Sequence, residues 1–170
     1  MDLCRYIRDV PDFPQPGILF KDITPLLADP AAFRYVIDQF VPRYAARGID
    51  RVVGIESRGF LFAAPVALAL QAKFSPARKP GKLPYKTVEE SYTLEYGTNT
   101  IALHEDGIGR GEKVLVVDDL IATGGTLAAT CNLVEHLGGQ VEEVATLIEL
   151  TFLKGRDLLA GRPFFTLLQF

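Results

Sequence analysis

The stretch that most constrains the fold is residues 113–126, which read KVLVVDDLIATGGT. Residues 114–117 are four consecutive apolar residues, three of them β-branched, which is typical of a strand buried on both faces. Two acids, Asp118 and Asp119, follow directly, and a loop of threonine and glycine then leads into a helical pattern. This order predicts a site for a phosphorylated sugar at the carboxyl end of a strand in an open α/β sheet.

The rest of the chain alternates predicted strands with predicted helices. Strands are predicted at residues 18–20, 51–55, 73–77, 141–150 and 163–170, and helices at residues 3–10, 31–47, 60–71, 126–137 and 153–159. This alternation favours an α/β fold with a mostly parallel, twisted sheet flanked by helices. Pro76 indicates an edge strand or a break at residues 73–77.

Two segments lie outside the alternation and are predicted to be additions to the core. They are residues 1–30 and a hairpin at residues 92–103, with its turn at Gly97, Thr98 and Asn99. Residues 78–90 are basic and lack apolar periodicity, which is typical of a functional or mobile loop. With 170 residues and no linker, a single domain over residues 1–170 is expected.

Composition limits the partners of the chain. The net charge is −3 and no basic tract is present, so nucleic acid is not an expected partner. The local basic cluster at residues 78–86 suggests a small anionic ligand instead. No signal peptide is visible, and the longest apolar run, residues 60–70, is too short to span a bilayer. A cytoplasmic protein without a membrane partner is therefore expected.

Several motifs leave more than one interpretation open. The acid pair suits a ribose diol or Mg²⁺, but alone it equally suits a helix cap or a solvated turn. Arg58, in the turn after residues 51–55, suits a phosphate or a surface salt bridge. No GxxxxGK[ST] motif occurs, which disfavours a nucleotide triphosphatase. The glycines at 107–111 precede a strand, so they do not form a dinucleotide fingerprint. His104, His136 and Cys131 are expected to be structural.

Taken together, the motifs resemble one family. VLVVDDLIATGGT resembles the phosphoribosyl pyrophosphate (PRPP) signature of the type I phosphoribosyltransferases. The segments DFPQPGILFKDITPLL, GIESRGFLF, ARKPGKLP, SYTLEYG and LIELTFLKGRDLLAGRPFFTLLQF resemble the adenine-specific branch of that family, over essentially the whole chain. The resemblance implies the type I phosphoribosyltransferase fold, with an N-terminal hood in residues 1–30 and a mobile lid in residues 78–103. It also implies a homodimer.

The resemblance further implies the reaction adenine + PRPP → AMP + pyrophosphate, with inversion at C1 of the ribose. The cofactor would be Mg²⁺, held mainly through PRPP and near Asp118 and Asp119. The implied PRPP ligands are Asp118 and Asp119 for the ribose, Ala122, Thr123, Gly124, Gly125 and Thr126 for the 5′-phosphate, and Glu56, Ser57, Arg58, Arg78, Lys79 and Lys82 for the pyrophosphate. The family commonly has a cis peptide bond in the loop of Glu56 and Ser57.

The implied adenine ligands are Leu19, Phe20 and Lys21. Phe20 would stack on the purine, and the backbones of its two neighbours would bind the edge of the base. The implied catalytic residues are Glu95, which would exchange a proton at N7, together with Tyr96 and Arg58.

Two alternatives remain at this stage. One is an enzyme of the same fold that uses hypoxanthine, guanine or xanthine, against which the hood and the LEYG hairpin argue. The other is a regulator that senses PRPP and binds nucleic acid, against which the acidic net charge argues.

Overall fold

The structure is a computed structural model that describes residues 1–94 and 97–170. Its described residues form two compact units, Met1–Phe40 and Val41–Phe170. None of the helices in these described ranges is long and apolar enough to cross a membrane.

The first unit is built around a two-stranded antiparallel sheet. A 3-10 helix at Leu3–Tyr6 leads into strand β1 (Arg8–Pro11), which pairs with β2 (Leu19–Asp22). The predicted helix over residues 3–10 is therefore wrong beyond Tyr6, because β2 provides a partner for the following residues that the local pattern does not show. Helix α1 spans Thr24–Ala28.

Helix α2 spans Pro30–Tyr44 and confirms the helix predicted from its 3.6-residue periodicity. The Asp29 carboxylate accepts hydrogen bonds from the backbone N–H groups of Ala31 and Ala32, each at 2.9 Å, so it caps the first turn. The helix ends three residues before the predicted Arg47.

The second unit contains the main sheet and a separate hairpin. Its strands, in chain order, are β3 (Arg51–Ile55), β4 (Lys73–Ala77), β5 (Thr87–Leu94), β6 (Gly97–His104), β7 (Lys113–Ile121), β8 (Gln140–Glu149) and β9 (Phe164–Gln169). Five of them form a parallel sheet in the order β4-β3-β7-β8-β9. This confirms the predicted parallel α/β sheet, with β7 at its centre and β4, which contains Pro76, at its edge.

Strand β7 extends further than its apolar run predicts. The acids were expected to follow the strand, but β7 continues to Ile121 and includes both of them. The physical reason is the length of β8, which keeps pairing with β7 from Asp118↔Thr146 to Ile121↔Glu149. The side chains of successive residues therefore point to opposite faces at this end of the strand.

The hairpin also differs from its prediction. Strands β5 and β6 pair from Thr87↔His104 to Leu94↔Gly97, so Gly97, Thr98 and Asn99 lie in β6 and do not form the turn. The polar residues 87–90, which showed no pattern, form the first half of β5. They are held there by β6 and by Val88, which packs on the hydrophobic core.

Two helices flank the main sheet in this unit. Helix α3 (Gly59–Leu70) packs on β3 and β7, and helix α4 (Gly125–His136) packs on β5, β7 and β8. The predicted helix at residues 153–159 is present as two 3-10 segments, Thr151–Leu153 and Gly155–Leu159. Cys131 lies in the core, as predicted.

A network of ion pairs ties together the amino ends of β3, β4 and β7. The carboxylate of Glu112 accepts hydrogen bonds from Arg51 Nε at 2.6 Å, Lys73 Nζ at 2.6 Å and the Gly109 N–H at 2.8 Å. These donors, Arg51 first, lower the pKa of Glu112 to about 2. Arg51 also donates to Ser75 Oγ at 2.8 Å, so the network extends to β4.

We expect Glu112→Gln to lower the free energy of unfolding by about 1.5–3 kcal/mol near neutral pH, because it weakens charge-assisted bonds to a side chain that is 11% exposed. A depressed pKa in the folded state stabilises the protein above the ordinary value of 4.5, and this contribution is lost as the pH falls toward 2. The difference between wild type and variant should therefore shrink on acidification.

Urea unfolding between about pH 7 and pH 3 measures this difference. The control is Glu105→Gln, a carboxylate exposed in the turn after β6, which should stay within about 0.5 kcal/mol of wild type. A difference for Glu112→Gln that is the same at every pH would contradict the assignment.

Candidate functional site

A cleft of about 620 Å³ opens at the carboxyl ends of β3 and β7. This is the edge at which open α/β sheets bind ligands. The described residues that line it are Ile55, Glu56, Ser57, Arg58, Lys79, Pro80, Tyr92, Thr98, Asn99, Thr100, Ile101, Asp118, Asp119, Leu120 and Thr126. The cleft therefore brings together the acid pair, the Arg58 turn and part of the threonine–glycine loop, as the sequence predicted.

Of the acid pair at the end of β7, Asp119 is buried and Asp118 is half-buried. Arg58 Nε lies 2.7 Å from Asp119 Oδ2, but the contact is not aligned as a hydrogen bond. The Asp119 N–H donates to Asp118 Oδ1 at 2.8 Å. Desolvation raises the pKa of both carboxyl groups; the charge of Asp119 raises that of Asp118 further, whereas Arg58 partly offsets the shift of Asp119. The two carboxylates have lost hydrogen bonds to water, and a ligand hydroxyl group or a cation could take the place of that water.

Helix α3 begins directly beside this pair. A Cβ atom at Gly59 would lie 2.8 Å from Asp118 Oδ1 and 3.0 Å from the Val117 carbonyl oxygen. Only glycine allows the start of α3 to approach the carboxylate this closely. The peptide bond between Glu56 and Ser57, in the same turn, is cis, as the resemblance implied.

The second arginine of the predicted pyrophosphate site is also paired with a carboxylate. Arg78 Nε donates to Glu56 Oε2 at 2.8 Å, and its Nη1 donates to the Lys82 carbonyl oxygen at 3.1 Å. Lys79 is exposed and lines the cleft. Lys82 is exposed and contacts Arg78 through its carbonyl oxygen. Neither Arg78 nor Lys82 is among the described residues that line the cleft.

The loop of residues 122–126 forms a smaller cavity of about 90 Å³ next to the cleft. It is lined by Ala122, Thr123, Gly124, Gly125 and Thr126, with Asp118, Leu120, Ile121 and Leu127. Helix α4 begins at this loop, and no described side chain caps its first turn. The N–H groups of that turn, together with the positive end of the helix, suit an anion.

A second loop supports this one from behind. Gly124 has φ +86°, and a Cβ atom there would lie 2.2 Å from the Gly155 carbonyl oxygen. A Cβ atom at Gly155 would in turn lie 2.3 Å from the Ala122 carbonyl oxygen. The two backbones touch without side chains between them. Arg156, which follows, forms a bidentate ion pair with Glu149 at the end of β8.

Sequence reasoning expected the hairpin to contribute Glu95 and Tyr96, but it missed the described hairpin residues that line the cleft. Tyr92, Thr98, Asn99 and Thr100 line it, although none was a candidate. Their alternation within two strands was visible in the sequence, but only the correct register shows which side chains face the cleft.

The predicted adenine-binding residues lie on β2 in the first unit. Phe20 makes an edge-on contact with Phe13, with ring centroids 5.0 Å apart. Leu19 is 48% exposed, and Lys21 is buried with its Nζ 2.6 Å from Asp9 Oδ1. Glu95 and Tyr96, the other predicted catalytic residues, lie outside the described residues.

The surroundings of Asp118 and Asp119 fit the predicted Mg²⁺. Two desolvated carboxylates at the cleft fit a hard cation such as Mg²⁺. One of them, Asp119, is buried and has an oxygen that lacks an aligned hydrogen-bond donor among the described residues. The described residues contain no group of three or more potential metal ligands, so a bound ligand would have to supply further oxygens.

A family model, a protein relative and solved structures all relate this chain to the phosphoribosyltransferases. Residues 25–157 match the model of the phosphoribosyl transferase domain family. The chain is 57% identical to an adenine phosphoribosyltransferase of Roseiflexus sp. (strain RS-1), over 99% of this chain and 98% of the relative.

Solved structures agree over the whole fold. The crystal structure of adenine phosphoribosyltransferase from Thermoanaerobacter pseudethanolicus has a TM-score of 0.96 at 48% identity and covers 99% of this chain and 98% of its own. The enzyme from Saccharomyces cerevisiae, complexed with an imino-altritol bisphosphate and adenine, has a TM-score of 0.92 at 42% identity and covers 98% and 96%.

We expect Gly155→Ala to displace the 122–126 loop, because the new methyl group would meet the carbonyl oxygen of Ala122 and the backbone nitrogen of Gly124, as well as the Ile121 side chain. The backbone amide resonances of residues 122–126 should shift in two-dimensional NMR spectra. The control is Gly161→Ala. Gly161 has φ +80° but open space around its Cβ position, so this substitution introduces backbone strain without a steric contact. Equal shifts of the loop in both variants would argue against the close contact.

Proposed function

Because the chain belongs to the adenine phosphoribosyltransferases of the phosphoribosyl transferase family, we propose that it transfers the 5-phosphoribosyl group from PRPP to adenine, giving AMP and pyrophosphate. The observation that carries this proposal is the single cleft that unites the acid pair, the Arg58 turn and Thr126. A sugar that bears phosphate groups at both ends needs these three kinds of contact at once.

The ribose 5-phosphate half of PRPP would occupy the end of β7 and the loop that follows. Asp118 and Asp119 accept hydrogen bonds from the ribose hydroxyls, which restores the interactions they lost on burial. The 5′-phosphate binds the loop from Ala122 to Thr126 through backbone N–H groups and the threonine hydroxyls. The cavity of about 90 Å³ at this loop supports that placement.

The pyrophosphate group would bind the Arg58 turn and the basic segment after β4. Arg58 and Arg78 contact Asp119 and Glu56 in the structure. Arg58 lines the cleft, and Arg78 contacts Glu56, which lines it. Each arginine would exchange its carboxylate partner for a phosphate oxygen when PRPP binds. Ser57, Lys79 and Lys82 supply the remaining contacts of this group.

Mg²⁺ fits the same place. It would be held by PRPP oxygens near Asp118 and Asp119, and it supplies positive charge that stabilises the departing pyrophosphate. The protein's own contribution to this charge comes from Arg58 and the basic segment.

Adenine would bind Leu19, Phe20 and Lys21. The ammonium group of Lys21 is held by Asp9, so its backbone, not its side chain, is suited to contact the base. A backbone carbonyl that faces the 6-position accepts a hydrogen bond from an amine. It would remain unpaired against a 6-oxo group, which penalises hypoxanthine and guanine.

The reaction breaks the bond between C1 of the ribose and pyrophosphate, and the ribose gains oxocarbenium character. N9 of adenine attacks from the opposite face, so the configuration at C1 inverts. Glu95 takes part in removing the proton that adenine must lose, and Tyr96 helps to orient the site. Closure of the lid, residues 78–103, excludes water that would otherwise hydrolyse PRPP.

The protein would work as a cytoplasmic homodimer. Phe13, Ile18 and Leu19 are large apolar side chains that are each at least 39% exposed in the first unit, which supports an interface in this segment.

We expect purified protein with PRPP and Mg²⁺ to release pyrophosphate and form AMP when adenine is added. Hypoxanthine, guanine and xanthine should react at least about 100-fold more slowly, because each leaves a buried acceptor unpaired. Chromatography of the nucleotide products measures this, with Mg²⁺-free reactions as the control. A preference for a 6-oxopurine would replace the proposed substrate, and inactivity with every base would remove the proposed activity.

We expect Glu95→Gln to lower kcat by about 100-fold or more, since it removes a proton-exchanging group, while PRPP affinity changes little. Steady-state kinetics and calorimetric PRPP titration separate the two effects. The matched control is Glu89→Gln, an exposed carboxylate of the same hairpin, which should keep wild-type kcat. Equal kcat in the Glu95 variant and wild type would exclude the role.

A further inference from the structure

Tyr92 of the hairpin contacts the loop of residues 122–126, which we call the phosphate loop. The hydroxyl oxygen of Tyr92, on β5, lies 2.7 Å from Oγ1 of Thr126, in the first turn of α4. The Tyr92 ring packs on Gly125, where a Cβ atom would lie 2.7 Å from its Cδ2 atom. The contact thus combines a hydrogen bond with a close approach that only glycine at position 125 allows.

A ligand bound at the phosphate loop would influence this contact through Thr126. It lines both the main cleft and the smaller cavity. Its carbonyl oxygen already accepts a hydrogen bond from Thr130 Oγ1 at 2.8 Å, so its backbone is fixed within α4. Its hydroxyl contacts Tyr92, and the residue itself lines the smaller cavity that would hold the 5′-phosphate.

The polarity of this hydrogen bond depends on what the cavity contains. A threonine or tyrosine hydroxyl has one proton to donate and can also accept. Without an anion, either hydroxyl can be the donor. When a phosphate takes the proton of Thr126, Tyr92 must donate, and the bonds run in one direction from Tyr92 to Thr126 to the phosphate. Hydrogen bonds aligned in this way, and ending on a charge, strengthen one another.

Tyr92 lies on β5 between the base of the hairpin and Glu95. The base of the hairpin is fixed by the backbone bridge between Arg78 and Ala102 and by Val88 in the core. Tyr92 pairs with Asn99 farther along the ladder, three residues before Glu95. A bond that tightens at Tyr92 therefore acts on the part of the hairpin nearest to the proposed proton-exchanging residue.

We propose that Tyr92 is a positioning residue that couples occupancy of the 5′-phosphate loop to the hairpin carrying Glu95. It acts through the Thr126 hydroxyl and does not touch the reacting atoms. This inference rests on the proposed function, since it assumes a ligand with a 5′-phosphate.

The test uses Tyr92→Phe in the full chain, which keeps the ring on Gly125 and removes only the hydroxyl. Calorimetric titration with AMP should show binding about 3–10-fold weaker than in wild type, the effect of one hydrogen bond to a group that contacts a charged ligand. Titration with pyrophosphate and Mg²⁺, which does not use the phosphate loop, should be unchanged. The matched control is Ser91→Ala, which removes a neighbouring hydroxyl bonded to Thr100 Oγ1 at 2.9 Å and should affect neither ligand.

A double-mutant cycle separates coupling from packing. In a Thr126→Val background, Tyr92→Phe should weaken AMP binding no further, because the hydroxyl through which it acts is gone. Thr126→Ser keeps that hydroxyl and should keep the full effect of Tyr92→Phe. Additive losses in the Val background, or equal losses for AMP and pyrophosphate, would overturn the proposal.

Hydrogen exchange reports on the hairpin directly. AMP should slow amide exchange in residues 87–94 and 97–104 of wild type, and this protection should be reduced in Tyr92→Phe while protection of residues 122–126 persists at saturating AMP. Unchanged hairpin protection in the variant overturns the coupling alone. Failure of wild type to bind AMP overturns the proposed function, and this inference with it.

Discussion

Desolvation of two adjacent carboxylates, Asp119 buried and Asp118 half-buried, at the end of the central strand is the constraint on which the site depends. Charges removed from water destabilise a fold unless neighbouring groups compensate them. Here Arg58 contacts Asp119, a backbone N–H binds Asp118, and the glycine at position 59 lets helix α3 begin beside the pair. The compensation is partial, since burial still raises the pKa of both groups. A polyhydroxylated, magnesium-bound ligand would complete it.

Ion pairs at the two ends of the sheet differ in a way that follows from their surroundings. Near the amino ends of the strands, Glu112 and Glu143 are each satisfied by several donors; Glu143 accepts two bonds from Arg43 and one from the Tyr44 hydroxyl. The Glu112 network holds strands together, and the Glu143 network ties the last turn of helix α2 to β8. At the carboxyl ends, Arg58 and Arg78 each contact one carboxylate beside an open cleft. In the proposed function, a phosphate group of PRPP would replace those partners without disturbing the sheet.

The phosphate loop is shaped by elements distant from it in the chain. Gly155 supports it from behind, through backbone contact with Gly124, and Tyr92 contacts it from the hairpin. A loop held in this way presents its N–H groups in a fixed arrangement, which is the preorganisation that anion binding requires. Both supports were absent from the set of candidates predicted from the sequence.

The sequence by itself determined the mostly parallel sheet, an edge or a break at residues 73–77, and the position of the acid pair and of Arg58 directly after two apolar strands. These follow from local apolar periodicity and from the rule that parallel strands share their carboxyl edge. Tertiary structure alone decided the extension of β7 through its acids, the register of the hairpin, the strand at β1, and the roles of Tyr92 and Gly155. Each of these depends on a partner far along the chain, and a local pattern carries no information about such a partner.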